Sequence, residues 1–168
     1  MPMSEYMRSL RDRVGSQLLQ IPSATVLAFD PRDRVVLVRH ADAEAWTTPG
    51  GAIEPLERPA DAALREMWEE TGLHVELTRV IGVYGGPEFT TSYRNGDRVS
   101  FTMVVFEARP ISGALRPDGD ETLDVRWVGA DELADLHLQP WAPRVLHNAW
   151  ESRATARFDP PRWSPPGG

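Results

Sequence analysis

Three glutamates, Glu66, Glu69 and Glu70, fall within one short stretch of the chain. On a helix over residues 59–71, at about 100° per residue, Glu66 and Glu70 stack one turn apart and Glu69 flanks them. Like charges at this spacing repel. They also crowd a helix C-terminus, where the dipole already disfavours negative charge. Nothing local offsets these costs, which is how a functional site departs from local rules. A divalent cation would offset them, and ligands made only of oxygen select a hard ion, Mg2+ or Mn2+, over zinc. Upstream, Gly50 and Gly51 let the main chain come close, so a backbone carbonyl can add a ligand. Arg65 stays charged at any working pH. It can pair with Glu57, which precedes the helix and can fold back onto it.

These groups need a scaffold. Pro59 suits a first helical turn and Gly72 the position just past the last one. Ala60, Ala63, Leu64, Met67 and Thr71 give that helix its core-facing stripe. Residues 5–20, with Met7, Leu10, Val14 and Leu18, predict an amphipathic helix softly interrupted at Gly15. Residues 23–29 read as a buried strand and 35–40 as its return, a hairpin turned by Asp30 to Asp33. Residues 75–84 are β-rich and end at Gly85-Gly86-Pro87; Asn95-Gly96-Asp97 is a turn. Residues 99–108 form the longest strand candidate and 124–128 a shorter one; 130–136 and 143–158 read as helical. This order predicts an α/β protein, an α/β/α sandwich with a mixed β-sheet between helices. The expected organisation is a helical extension over 1–20, one domain over 21–158 and a Pro-rich tail over 159–168.

The segment has the form G-x5-E-x7-R-E-U-x-E-E-x-G-U, with U aliphatic. It holds Gly51, Glu57, Arg65, Glu66, Met67, Glu69, Glu70, Gly72 and Leu73. It resembles the signature of the Nudix (MutT-like) superfamily at every specified position. A chance match is on the order of one in ten million at average residue usage, so a merely solvated acidic helix does not compete as an explanation. The flanks resemble the family too: Trp46-Thr-Thr-Pro-Gly-Gly51 before the box, and Arg126-Trp127-Val128 with Asp131-Glu132-Leu133 after it. The resemblance spans roughly residues 20–140. It implies hydrolysis of a nucleoside diphosphate linked to another moiety, with Mg2+ or Mn2+. It implies metal ligands at Glu66, Glu69, Glu70 and the Gly50 carbonyl, and an orienting pair of Glu57 with Arg65. A later acid often completes such a site; Glu121 is the first candidate and Asp120 the second. Either Glu66 or Glu69 would take the proton of the attacking water. Two positions depart from the family pattern. Leu56 stands where a glycine is common, which predicts a different loop path. Arg58 stands where a Ser or Thr cap is common, which predicts a weaker helix start.

Substrate choice lies outside the box. Trp46, Tyr84, Phe89 and Tyr93 are candidates to stack on a base, and Arg39 and Arg94 to reach phosphates. Pro87 lies near a position where ADP-ribose pyrophosphatases carry proline, but a turn explains it equally. His40, His74, His137 and His147 show no metal spacing and receive no role. The chain has no cysteine, which excludes disulfides, thiolate zinc sites and cysteine nucleophiles, and disfavours the isopentenyl diphosphate isomerase chemistry that the resemblance would otherwise allow. A net charge of -7 disfavours nucleic acid as a partner and leaves a small nucleotide or nucleotide-sugar. No apolar run reaches the roughly 18 residues of a membrane span, no apolar leader opens the chain, and a cytoplasmic protein is expected. The N-terminal helix and the tail with Trp163 could cover a homodimer contact or pack on their own domain. A catalytically silent nucleotide sensor is the alternative function; the intact glutamate set argues against it.

Overall fold

The computed structural model describes residues 4–41, 44–93, 95–151 and 154–160. In chain order the elements are helix α1 (Glu5–Val14), strands β1 (Leu19–Ala28), β2 (Val35–His40), β3 (Trp46–Thr47) and β4 (Gly50–Ala52), then helix α2 (Pro59–Thr71). Strands β5 (Leu73–Tyr84), β6 (Thr90–Ser92), β7 (Arg98–Gly113) and β8 (Thr122–Val128) follow, then helix α3 (Ala142–Glu151) and strand β9 (Arg157–Phe158).

Strand β1 is the axis of the molecule. Its residues Ala24, Val26, Leu27 and Ala28 are fully buried, the continuous apolar run of a strand covered on both faces. It pairs parallel with β7 along its length and antiparallel with β4. The larger sheet runs β4-β1-β7-β5-β9, with β6 also on β7. A second sheet runs β3-β2-β8. Two cores follow. Ala62, Ala63 and Met67 of α2 pack with Ala24, Val26, Val36, Val38 and Phe106. On the other side, Val145, Leu146 and Ala149 of α3 pack with Leu27, Leu37, Ile81 and Tyr84. Helices thus flank a mixed sheet, the α/β/α arrangement expected.

Several local expectations change. Residues 23–29 and 35–40 do not form a hairpin. Both edges of β1 are taken, by β4 and β7, so β2 joins the other sheet and only a bridge between Phe29 and Val35 remains. The first helix stops at Val14, because Gly15 turns left-handed at φ 59° and donates its N–H to the Arg11 carbonyl. Leu19 and Gln20 belong instead to β1, paired with Val99 and Ser100, and Leu18 is exposed. Residues 130–135 are a 3-10 helix. Helix α3 ends at Glu151, and Arg157–Phe158 pairs with Gly82 and Val83. Leu64 leaves the α2 stripe for solvent, and Ala62 takes its place in the core. No helix among the described residues is long and apolar enough to cross a membrane.

Candidate active site

Helix α2 starts at Pro59 with no side-chain cap from Arg58. It ends at Gly72, which is left-handed at φ 73° and donates its N–H to the Trp68 carbonyl. Between them, Glu66 and Glu70 sit on a buried face, 7% and 4% exposed. They are not on the solvent side. The Gly50-Gly51 strand packs directly over them. A Cβ at Gly51 would lie 2.6 Å from the Glu66 carboxyl carbon, and one at Gly50 would lie 2.6 Å from Thr25 Oγ1. Only glycine lets the main chain approach a carboxylate this closely. The Gly50 N–H donates to Glu70 Oε2 at 3.0 Å.

Arg65 organises the acids around it. Its Nε and Nη2 grip both oxygens of Glu57, each at 2.9 Å, a bidentate pair. Its Nη1 donates to Glu66 at 2.6 Å and to Glu69 at 3.3 Å, and Nη2 also reaches the Ala52 carbonyl at 3.1 Å. The Arg65 hydrogen bonds hold the Glu57 carboxyl below its ordinary pKa. Leu56 precedes this pair at φ 68°, a left-handed conformation natural to glycine, and its side chain is fully exposed. Leu56 thus holds a backbone conformation that a glycine adopts without strain.

His40 joins the site unannounced. At the end of β2, its Nε2 lies 3.2 Å from Glu70 Oε1. Burial pulls His40 toward neutrality, but the hydrogen bond and charge of Glu70 outweigh it and raise its pKa. Glu66 moves further. Burial, then the charge of Glu70, push its pKa to about 7 against the opposing pull of Arg65.

A cavity of about 690 Å3 opens beside these groups. Gly50, Gly51, His40, Arg65, Glu66 and Glu70 line one part, and Asp120 and Glu121 come in from the facing loop. That loop is fixed by Asp118, whose Oδ1 accepts the N–H groups of Asp120, Glu121 and Thr122. The donor set fits a hard divalent cation. Among the described residues, Glu57, Glu66, Glu69 and Glu70 form ion pairs with Arg65 and His40 only, and the remaining donors are oxygens. Among the described residues no three acids or histidines already converge as ligands. The carboxylates are turned onto Arg65, His40 and the Gly50 N–H instead.

The expected base-stacking residues fare differently. Tyr84 and Phe89 are 2% and 1% exposed inside the α3 core, where Tyr84 accepts from Asn148 and Phe89 packs against Trp141. Trp46 is 8% exposed, with the Arg126 guanidinium 4.6 Å above its ring. Their apolar area packs in the core, and none of the three lines the cavity. Arg39 is half-buried on β2, paired across to Trp46, and does not line the cavity. Tyr93 does line it. Arg94 and Trp163 lie outside the described residues.

Sequence reasoning missed His40 and Arg11, both on the cavity wall. His40 has no fixed spacing to Glu70, since only sheet register brings them together. Arg11 did leave a signal: a charge four residues after Met7, on the apolar face of α1.

Fold and site together define an α/β/α sandwich with an acidic centre packed under a glycine strand. The NUDIX domain model matches residues 19–149, and the chain belongs to the Nudix hydrolase family. It is 30% identical over 141 residues to a MutT-like protein of Streptomyces ambofaciens, covering 84% of each chain. It is 32% identical over 125 residues to a putative 8-oxo-dGTP diphosphatase of Bacillus subtilis, covering 74% of this chain and 76% of that one. In fold it resembles the crystal structure of a UDP-X diphosphatase, with TM-score 0.66 at 19% identity, covering 88% of this chain and 69% of the other.

Proposed function

We propose that this protein hydrolyses a diphosphate bond in a small nucleotide, a nucleoside diphosphate linked to another moiety, using Mg2+ or Mn2+. The observation that carries this reading is the burial of Glu66 and Glu70 side by side at a nucleotide-sized cavity that Glu121 also enters. Two buried carboxylates of like charge are costly unless a cation joins them. Glu66, Glu69, Glu70 and the Gly50 carbonyl would hold the ion, with Glu121 reaching it from the facing loop. When bound, it neutralises charge on the diphosphate oxygens and lowers the pKa of water.

The chain's own groups do the rest. Glu57 fixes Arg65, and Arg65 fixes the rotamers of Glu66 and Glu69. Gly50 and His40 orient Glu70 through one oxygen each. Glu66 or Glu69 accepts the proton of the attacking water. Glu69, at 30% side-chain exposure, can return it to solvent more readily than Glu66.

The test is incubation with Mg2+ or Mn2+ and a panel of nucleoside triphosphates, ADP-ribose and a UDP-sugar, following phosphate and pyrophosphate release. Cleavage of at least one, abolished by EDTA, is expected. No turnover of any member, with no divalent-ion binding by calorimetry, overturns the reading. Thermal stabilisation by a nucleotide without product would favour a binding module instead.

A further inference from the structure

Helix α1 lies outside the matched span of residues 19–149, yet it closes one end of the cavity. The two ends differ in chemistry. Glu66, Glu70 and Glu121 make one anionic. Away from these acids, Met7, Ile21, Tyr93, Val99 and Phe101 add apolar and aromatic surface to the lining, beside the polar Arg11, Asn95 and Asp97.

Arg11 explains why the helix stays in place. It is only 9% exposed, rare for an arginine. Its Nη1 donates to the carbonyls of Gly15 and Gln17, at 3.0 and 2.7 Å. Its Nη2 donates to the Arg98 carbonyl at 2.7 Å, and its Nε faces Asp97 at 3.5 Å. One side chain therefore ties the exit of α1 to the start of β7 and to the turn that carries Tyr93. Charge-assisted bonds are stronger than neutral ones, and three of them from one guanidinium hold the helix exit against the start of β7. Arg11 is thereby committed to the backbone. Met7 lies one turn before it on the same helix face.

We propose that α1 is a specificity element of the substrate site: Met7, with Tyr93 and Phe101, receives the planar base of the nucleotide, and Arg11 is the positioning residue that holds Met7 there. This rests on the hydrolase reading above. A flat, largely apolar ring suits a polarizable thioether and two aromatic side chains lining one cavity, while its phosphates extend toward the acids and their cation. The cavity volume of about 690 Å3 lies within the range of small-ligand sites.

Met7→Trp fills the base end without touching the acids. The quantity to measure is the ratio of kcat/KM for the best nucleoside triphosphate to that for inorganic triphosphate, which has no base. The ratio should fall about tenfold in Met7→Trp, through KM. Arg11→Met should lower the same ratio, and Arg11→Lys should restore part of it, whereas a purely structural pin would lower both substrates' turnover alike. Met7→Ala, a milder change, covers the case in which Met7→Trp fails to fold. A ratio within twofold of wild type in the folded Met7 variants overturns the proposal. Calorimetry with AMP, GMP, CMP and UMP separates this from the hydrolase reading, because it needs no turnover. Monophosphate affinity lost in Met7→Trp, in a protein that cleaves nothing, supports the base end and sinks the hydrolase. Unchanged affinity beside normal wild-type turnover sinks the base end alone.

Discussion

Helices α2 and α3 flank the same sheets and obey opposite rules. Helix α3 buries Ala142, Val145, Leu146 and Ala149, an apolar face and nothing else. Helix α2 buries Ala62, Ala63, Met67 and Thr71, but also Glu66 and Glu70. Its N-cap, Arg58, supplies no side-chain bond, and its last turn holds acids with no basic residue. Each of these features weakens a helix. The difference teaches where this fold spends stability on chemistry: α3 is built to hold the core, and α2 is built to present charge from within it. Substitutions should therefore separate the two helices, activity falling in one and stability in the other.

The largest separation is expected from Glu70→Gln. It keeps the shape of the side chain and one acceptor for the Gly50 N–H. It removes the charge that a cation needs. Turnover of the best substrate should fall about a thousandfold, equivalent to about 4 kcal/mol of transition-state stabilisation. Denaturant midpoints of the metal-free protein should hold or rise, because one of two buried like charges is gone. Turnover retained to within tenfold would show that Glu70 holds no essential ion.

The mirror experiment is Leu146→Ala in α3. Leu146 is fully buried among Leu37, Ile81 and Val145. The lost transfer and the cavity left behind should destabilise the protein by about 3 kcal/mol. Activity per folded molecule should stay within twofold, since α3 contributes nothing to the acidic cavity. A fall in kcat beyond that, at full folding, would mean that the two helices are coupled.

How much of this contrast was legible beforehand follows from what is local. The stacking of Glu66 over Glu70, the Arg65–Glu57 pair and the Pro59 and Gly72 ends of α2 depend on spacing within 23 residues, and spacing is written in the chain. The layer arrangement was legible for the same reason, from the alternation of strands and helices. Partner choice among strands was not. Both edges of β1 are claimed by segments far along the chain, β7 above all, so residues 35–40 read as a hairpin partner yet belong to the other sheet. His40 reaches Glu70 only through that placement. The burial of Tyr84 and Phe89 was not legible, because an aromatic ring suits a core and a base equally, and sequence shows neither the core's extent nor its volume.

The comparison sharpens with pH. The folded pKa of Glu66 is raised to about 7, above its ordinary 4.5, so the metal-free fold favours its protonated form. A raised folded pKa gives stability that is complete below the unfolded value and lost as pH rises through the folded one. His40, also raised, acts in the same direction. In EDTA, unfolding free energy should drop by on the order of 2 kcal/mol between pH 5 and pH 8. Glu66→Gln should flatten most of that slope, and saturating Mg2+ should reverse it by favouring the ionised acid. A slope unchanged in Glu66→Gln would place the titrating group elsewhere.

The smallest effect concerns the start of α2. Arg58 has extended backbone at φ -78° and ψ 145°, which is N-cap geometry, but its side chain cannot accept the orphan N–H groups of the first turn. Arg58→Ser supplies an oxygen at that position with no other change, because Arg58 is exposed and both oxygens of the neighbouring Glu57 are already held by Arg65. The gain should be about 1 kcal/mol, a few degrees in Tm for a chain of this size. Activity should not rise with stability, since Glu66 and Glu70 lie two and three turns further along the helix and are fixed by Arg65, His40 and Gly50. A stability gain accompanied by lower kcat would instead mean that looseness at the helix start serves turnover, and that the weak cap belongs with the buried acids as part of the site's design.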